Sequence, residues 1–223
     1  MTKLTKKIIM LDRGSNQTIS KIKIDSGKKV VIFSLKGGQG KTTISLALSY
    51  ETGFGIITND FYSPLQKYLM KEKLLKLEPD QYLPSAKDLK GADIIFDYGG
   101  YLDKRLIPAL EMSQCVGIPV TEFEDFETEG FAHTIAEVSR YNKNIFIILN
   151  QINDETADQV RAELKKNNYP YPVFEIKKSK VFKEMKEKKK AVSEILKEGG
   201  LKRFVYRQVS EQIIEIVNHI NNQ

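Results

Sequence analysis

Short apolar runs unbroken by polar residues recur along the chain: Lys29–Ser34, Gly55–Asn59, Asp93–Asp97, Gln114–Val120, Asn144–Asn150 and Pro172–Ile176. Each reads as a buried strand. Between them the spacing predicts helices over Ile44–Tyr50, Pro64–Lys76, residues 103–113, residues 131–141 and Glu155–Lys166. A final helical region is expected in two parts, divided near Gly199-Gly200. Thr121 is placed to cap a helix that an acidic run, Glu122 to Glu129, precedes or begins. Fully apolar strands alternating with helices predict the α/β class, a single domain with a mostly parallel central sheet and helices on both faces. Residues 1–28 form a basic extension before a domain of residues 29–223. Within that extension Ile8–Met10 and Ile19–Ile24 suggest a short hairpin around Asp12–Asn16.

Composition narrows the class. The 223 residues suit one α/β domain with an ample core. No apolar run approaches the length of a membrane span. The basic, briefly apolar start, Met1–Met10, does not read as a signal peptide. Cys115, the only cysteine, excludes an intrachain disulfide and a cysteine-rich metal site, and its apolar strand makes it a buried small hydrophobe. These features point to the cytoplasm. The net charge of +6 is uneven: residues 161–207 carry 15 Lys/Arg against 6 Asp/Glu, or +9, and the rest of the chain is −3. Such asymmetry suggests a face for a polyanion.

The most specific chemistry lies between the first strand and first helix, in Lys36-Gly37-Gly38-Gln39-Gly40-Lys41-Thr42-Thr43. A strand, a glycine-rich loop and a helix opening on Lys-Thr form the setting of a phosphate-binding P-loop. The glycines let the backbone wrap a phosphate chain, and amide N–H groups at the helix start face the anion. Lys41 reaches the terminal phosphates, and the Thr42 hydroxyl binds Mg²⁺. The nucleotide-binding set is then Gly37, Gly38, Gln39, Gly40, Lys41, Thr42 and Thr43. The plain alternative, a glycine turn that binds nothing, fits poorly, because glycines lose entropy on folding and the two lysines repel. Counting back from Gly40 places Leu35 where the ordinary motif has its first glycine. Lys36 is the unusual extra element.

Ligands of parallel α/β sheets sit at the carboxyl ends of the strands. Asp60, Asp97, the Pro119-Val120-Thr121 turn and Asn150 all fall at such ends. Asp97 suits a carboxylate that holds Mg²⁺ directly or through water, with a strand-end turn acid as the alternative. Asp60 is placed to polarise an attacking water or hold a water of the metal shell, with turn formation as its alternative.

The loop Lys-Gly-Gly-x-Gly-Lys-Thr-Thr resembles the deviant Walker A loop of the ParA/MinD superfamily, the partition and positioning ATPases. Asp60 occupies the place of the family's acid after the second strand, although Phe61-Tyr62 replaces the usual Pro-Gln. Asp97 matches the Walker B acid, and Asn150 looks like the strand-end asparagine near the base. The resemblance covers about residues 29–217. It implies ATP and Mg²⁺ as cofactors, Lys36, Lys41 and Asp60 as catalytic residues, and Thr42 and Asp97 as metal ligands. It also implies a homodimer formed with ATP, with Lys36 crossing to the partner's phosphates. By the same resemblance, a cargo or centromere-binding adaptor would stimulate hydrolysis. The output would be partition of plasmid or chromosomal DNA at the nucleoid.

Non-specific DNA is the expected partner of the basic region, through Lys177, Lys178, Lys180, Lys183, Lys186, Lys189, Lys202 and Arg203. The alternative is a solvated helix face paired with Glu184, Glu187 and Glu194. A MinD-like membrane-positioning ATPase is the second reading, and a nucleotide-binding scaffold with little hydrolysis another. The membrane reading needs a terminal basic amphipathic helix. The stripe Ile213, Ile214, Ile216, Val217 and Ile220 has no lysine or arginine after Arg207, so it reads as a core helix and a membrane partner is not expected. A small-molecule kinase would leave Lys36 without a role. His133 and His219 are expected at the surface.

Overall fold

The computed structural model describes residues 27–121 and 125–223. Strands β1 (Lys29–Ile32), β2 (Gly55–Thr58), β3 (Leu74–Lys76), β4 (Ile94–Asp97), β5 (Cys115–Val120), β6 (Ile145–Ile152) and β7 (Val173–Lys177) form one sheet in the order β3-β2-β4-β1-β5-β6-β7. Every neighbouring pair is parallel. The α/β expectation is met, and the sheet is parallel throughout. The hairpin expected within residues 1–28 falls on residues outside those described.

Alternate residues of each strand feed opposite faces, as the pleat requires. Val31, Phe96, Val116, Ile147 and Leu149 pack on one face with α2 (Leu106–Met112), α3 (Asp125–Val138) and α4 (Asp154–Lys166). Val30, Ile32, Ile95, Phe146 and Ile148 pack on the other with α1 (Lys41–Thr52), α5 (Val181–Lys188), α6 (Val192–Lys197) and α8 (Arg207–Asn221). Both faces are dry, which is why the strands read as apolar runs. Gly117 is required by this packing: a Cβ there would lie 2.7 Å from the Phe146 ring and 2.9 Å from Ile32.

Two expectations are corrected. Pro64–Lys76 is not a helix. It forms two 3₁₀ turns, Pro64–Lys67 and Lys71–Lys73, and then β3, where Leu74 and Leu75 pair beside Ile56 and Ile57. The open edge of β2 supplies backbone partners that override a helix-like spacing. The carboxyl-terminal region breaks at Gly199-Gly200 as expected, but each part is itself divided, into α5 and α6 before the break and α7 (Leu201–Val205) and α8 after it. Lys189 at φ 53°, Gly199 at 80° and Gly200 at 62° turn the chain between them. Helix α8 buries Val209, Ile213, Ile216, Val217 and Ile220 against the sheet. Burial at about 1.5–3 kcal/mol per side chain commits this stripe to the core. Among the described residues no helix is long and apolar enough to cross a membrane.

Candidate functional site

β1 lies at the centre of the sheet, where the chain turns from building one side, β2 to β4, to building the other, β5 to β7. The crevice at the carboxyl ends beside β1 is therefore the switch point of the topology. The loop from Phe33 to Gly40 emerges there and enters α1. Gly38 (φ 79°) and Gly40 (φ 80°) take left-handed conformations that a side chain resists. A Cβ on Gly40 would also collide with the Asn150 amide at the end of β6.

Other strand ends fix the loop. The Asn150 amide donates to the Gln39 carbonyl at 2.9 Å. The Gln39 side-chain oxygen accepts from the Thr121 N–H at 2.7 Å and from its hydroxyl at 3.1 Å. Thr121 thus ties the loop to β5, whereas α3 begins at Asp125. Gly100, past β4, comes so close that a Cβ would stand 2.8 Å from the Leu35 carbonyl oxygen.

Within this frame Lys41 is buried and donates to the carbonyls of Ser34 (3.1 Å) and Lys36 (2.9 Å). Burial pulls its pKa below the ordinary lysine value, against the raising influence of Asp97 and Asp60. Asp97, 2 % exposed, accepts from the Thr42 hydroxyl and the Ser45 hydroxyl, both at 3.0 Å. Burial outweighs these bonds and Lys41, and raises its carboxyl to about 6. Ser45 was not foreseen. It lies three residues beyond Thr42, on the same face of α1, and that spacing was the available signal.

Asp60 follows β2 as expected. Its carboxylate closes a local turn by accepting from the Tyr62 N–H at 3.0 Å, and it acts through space on Lys41 and Asp97. Lys36 is partly exposed, beside exposed Gly37 and Gly38. A second network, absent from the sequence reading, joins the loops after β2 and β4. Asn59 accepts from the Gly99 N–H (2.8 Å) and donates to Asp103 (2.9 Å), while the Tyr101 hydroxyl donates to the Asn59 carbonyl (3.1 Å). Arg105 grips Asp103 and the carbonyls of Glu78 and Gln81, and its hydrogen bonds hold the Asp103 carboxyl at about 2.

The eight basic residues expected to face DNA divide evenly. Lys177 pairs with Asp154, Lys183 with Glu187, and Lys202 with Glu184 and Glu198, while Lys186 turns inward to Thr43. Lys178, Lys180, Lys189 and Arg203 are exposed and have no carboxylate partner among the described residues. Of the three acids expected as partners, Glu184 and Glu187 pair; Glu194 instead accepts from the Ala191 N–H and caps α6. Glu198, which binds Lys188, Lys190 and Lys202, was missed.

His133 is exposed, as expected. His219 is not: it packs on Phe146 and Phe174 with Nε2 buried and unpartnered among the described residues, and burial pulls its pKa down. Cys115 is buried, and burial pushes its thiol up to about 12.

The donor set suits Mg²⁺ with a phosphate chain. Among the described residues no three His, Cys, Asp or Glu gather into a metal cage. Magnesium takes one or two protein ligands and completes its shell with phosphate and water, a demand the Thr42–Asp97 pair meets.

Comparison with solved structures finds the same architecture. McdA with ATP from Cyanothece superposes with a TM-score of 0.64 at 16% identity, covering 89% of this chain and 97% of that one. The MinC:MinD cell division complex of Aquifex aeolicus gives 0.59 at 16% identity, covering 88% and 96%. A plasmid partition protein of Borrelia burgdorferi bound to AMPPNP gives 0.55 at 17% identity, covering 85% and 98%. The fold is that of the ParA/MinD ATPases. No family model and no curated protein matches the chain. On this ParA/MinD frame the loop of residues 36–43 sits at the switch point with Asp97 against Thr42.

Proposed function

We propose that the protein is a ParA-type ATPase, a nucleotide-gated switch for partition of DNA. The observation that carries this reading is the buried Asp97 carboxylate, bonded to Thr42 and raised in pKa, at the foot of the glycine loop. In the proposed mechanism the loop amides and the α1 start bind the phosphates. Lys41 exchanges the Ser34 and Lys36 carbonyls for the terminal phosphates. Thr42 and Asp97 would hold Mg²⁺, which when bound neutralises charge on the phosphate oxygens. Asn150 keeps the loop's geometry near the base side, and Asp60 orients the attacking water.

Phosphoryl transfer needs positioning and charge neutralisation more than covalent chemistry, the work assigned to the loop amides, Lys41 and Asp97. Lys36, partly exposed in the loop, reaches a second subunit's phosphates and couples ATP to dimer formation. An adaptor protein accelerates hydrolysis and resets the switch. Non-specific DNA binds the dimer through Lys178, Lys180, Lys189 and Arg203.

The test is duplex binding by wild type and Lys41→Ala with ATP, with ADP and with neither. Wild type is expected to bind any sequence with ATP alone, with log affinity falling steeply against log salt. Binding that ignores the nucleotide, or that survives in Lys41→Ala, contradicts the proposal.

A further inference from the structure

Lys186 differs from the lysines around it. On the same helix, α5, Lys183 pairs with Glu187, and Lys188 pairs with Glu184 and Glu198. Lys186 has no carboxylate partner among the described residues. Its Nζ donates instead to the Thr43 hydroxyl at 3.0 Å, across 143 residues of sequence. The side chain is partly buried, and burial lowers its pKa with no opposing charge. One hydroxyl satisfies only one of the three ammonium N–H groups. Burial makes the charged form costlier, so an anion brought by a ligand would stabilise it.

Thr43 indicates which ligand. It stands in the first turn of α1, whose free N–H groups face an anion. The neighbouring Thr42 hydroxyl is turned to Asp97 at 3.0 Å, the side where metal and terminal phosphates belong. The Thr43 hydroxyl is turned the other way, to α5. The two threonines therefore divide the loop into a metal side and a second, cationic side. In a P-loop the backbone cradles the α- and β-phosphates while the loop lysine reaches the β- and γ-phosphates. A cation away from the metal side thus meets the α-phosphate. Helix α5 is held there by Val181, Phe182 and Met185, which join Ile44 and Leu48 of α1 in one core cluster.

We propose that Lys186 completes an anion subsite on the Thr43 side of the loop and binds the α-phosphate of a nucleoside di- or triphosphate. The proposal rests on the reading of the loop as a nucleotide site and adds a cation that no P-loop motif contains. Because the α-phosphate is common to ADP and ATP, Lys186 serves binding in both states of the switch, unlike Lys36.

Fluorescent ADP and ATP are titrated into wild type, Lys186→Met and Lys186→Arg. Lys186→Met is expected to weaken both nucleotides by the same factor, about tenfold for one charge-assisted hydrogen bond, and Lys186→Arg to recover most of it. Unchanged ADP affinity in Lys186→Met, or a loss confined to ATP, overturns the subsite. A second measurement needs no variant: wild type is acylated at its amines with and without saturating ADP, and the lysines are read by peptide mass. ADP is expected to protect Lys186 and to leave Lys183, exposed on the same helix, labelled. ADP that binds without protecting Lys186 overturns the subsite alone. A wild type that binds neither nucleotide overturns the reading of the loop itself.

Discussion

At the carboxyl ends of β1 and β4, Lys41 and Asp97 are both buried, yet they form no ion pair with each other. Lys41 satisfies itself on backbone carbonyls, and Asp97 on two hydroxyls. On α5 to α7 the charges close on one another: Lys188, Lys190 and Lys202 surround Glu184 and Glu198 at the surface. The first region holds two buried groups whose charged forms burial disfavours, a pattern that gathers at functional sites. The second holds charge already neutralised, and surface pairs of this kind contribute little. The count of 15 Lys/Arg in residues 161–207 therefore overstates what the region offers a polyanion.

The sharpest way to break this contrast is Lys41→Ala. It should reduce ATP affinity on the order of 100-fold, as expected when more than one charge-assisted hydrogen bond to phosphate is removed, measured by fluorescent-nucleotide titration. Affinity within a few-fold of wild type would make Lys41 an ordinary buried lysine.

Asp97→Asn comes next. The folded value of about 6 lies above the ordinary 3.8, so Asp97 favours the fold when protonated. Its contribution is full below about pH 4 and is lost as pH rises through about 6. In EDTA, without nucleotide, Asp97→Asn should be more stable than wild type at pH 7.5 by roughly 3 kcal/mol. The gap should vanish below about pH 4, and Mg²⁺-dependent hydrolysis should disappear. Chemical denaturation across pH reads the first effect, and phosphate release the second.

Replacing Lys178, Lys180, Lys189 and Arg203 together by alanine should lower DNA affinity. The slope of log affinity against log salt should fall by about 3 to 4, near 0.9 for each DNA phosphate that the variant no longer neutralises. Lys188→Ala with Lys190→Ala should change that slope much less. Equal effects would erase the distinction between free and paired basic residues. The smallest effect is expected from Glu198→Gln, which should leave the melting temperature unchanged within error, because its partners are solvated.

Much of the sheet was legible in the chain because both its faces are covered. Val30–Phe33, Ile94–Phe96 and Ile145–Leu149 carry no polar interruption, the pattern of a strand covered on both faces. The short strand Leu74–Lys76 has no such pattern and owes its existence to the edge of β2. At the candidate site, the glycine loop of residues 36–43, Asp97 and Asn150 stood out because each follows a strand or forms a local motif. The Asn59–Asp103–Arg105 network and the Lys186–Thr43 contact join residues 44 and 143 positions apart, brought together only by the fold. Lys186 looked like one more base of a lysine run until its orientation toward α1 separated it from Lys183 and Lys188. His219, in a helix that otherwise reads correctly, carries no local sign that it packs on Phe146 and Phe174.

The central claim is that nucleotide controls assembly through the loop. Light-scattering mass determination, with a non-hydrolysable ATP analogue, with ADP and with no nucleotide, tests it directly on wild type and Lys36→Ala. Wild type is expected to double its mass with the analogue alone, while Lys36→Ala binds the analogue and stays monomeric. A wild-type mass that is the same in all three conditions, or a Lys36→Ala protein that dimerises as wild type does, would contradict the account.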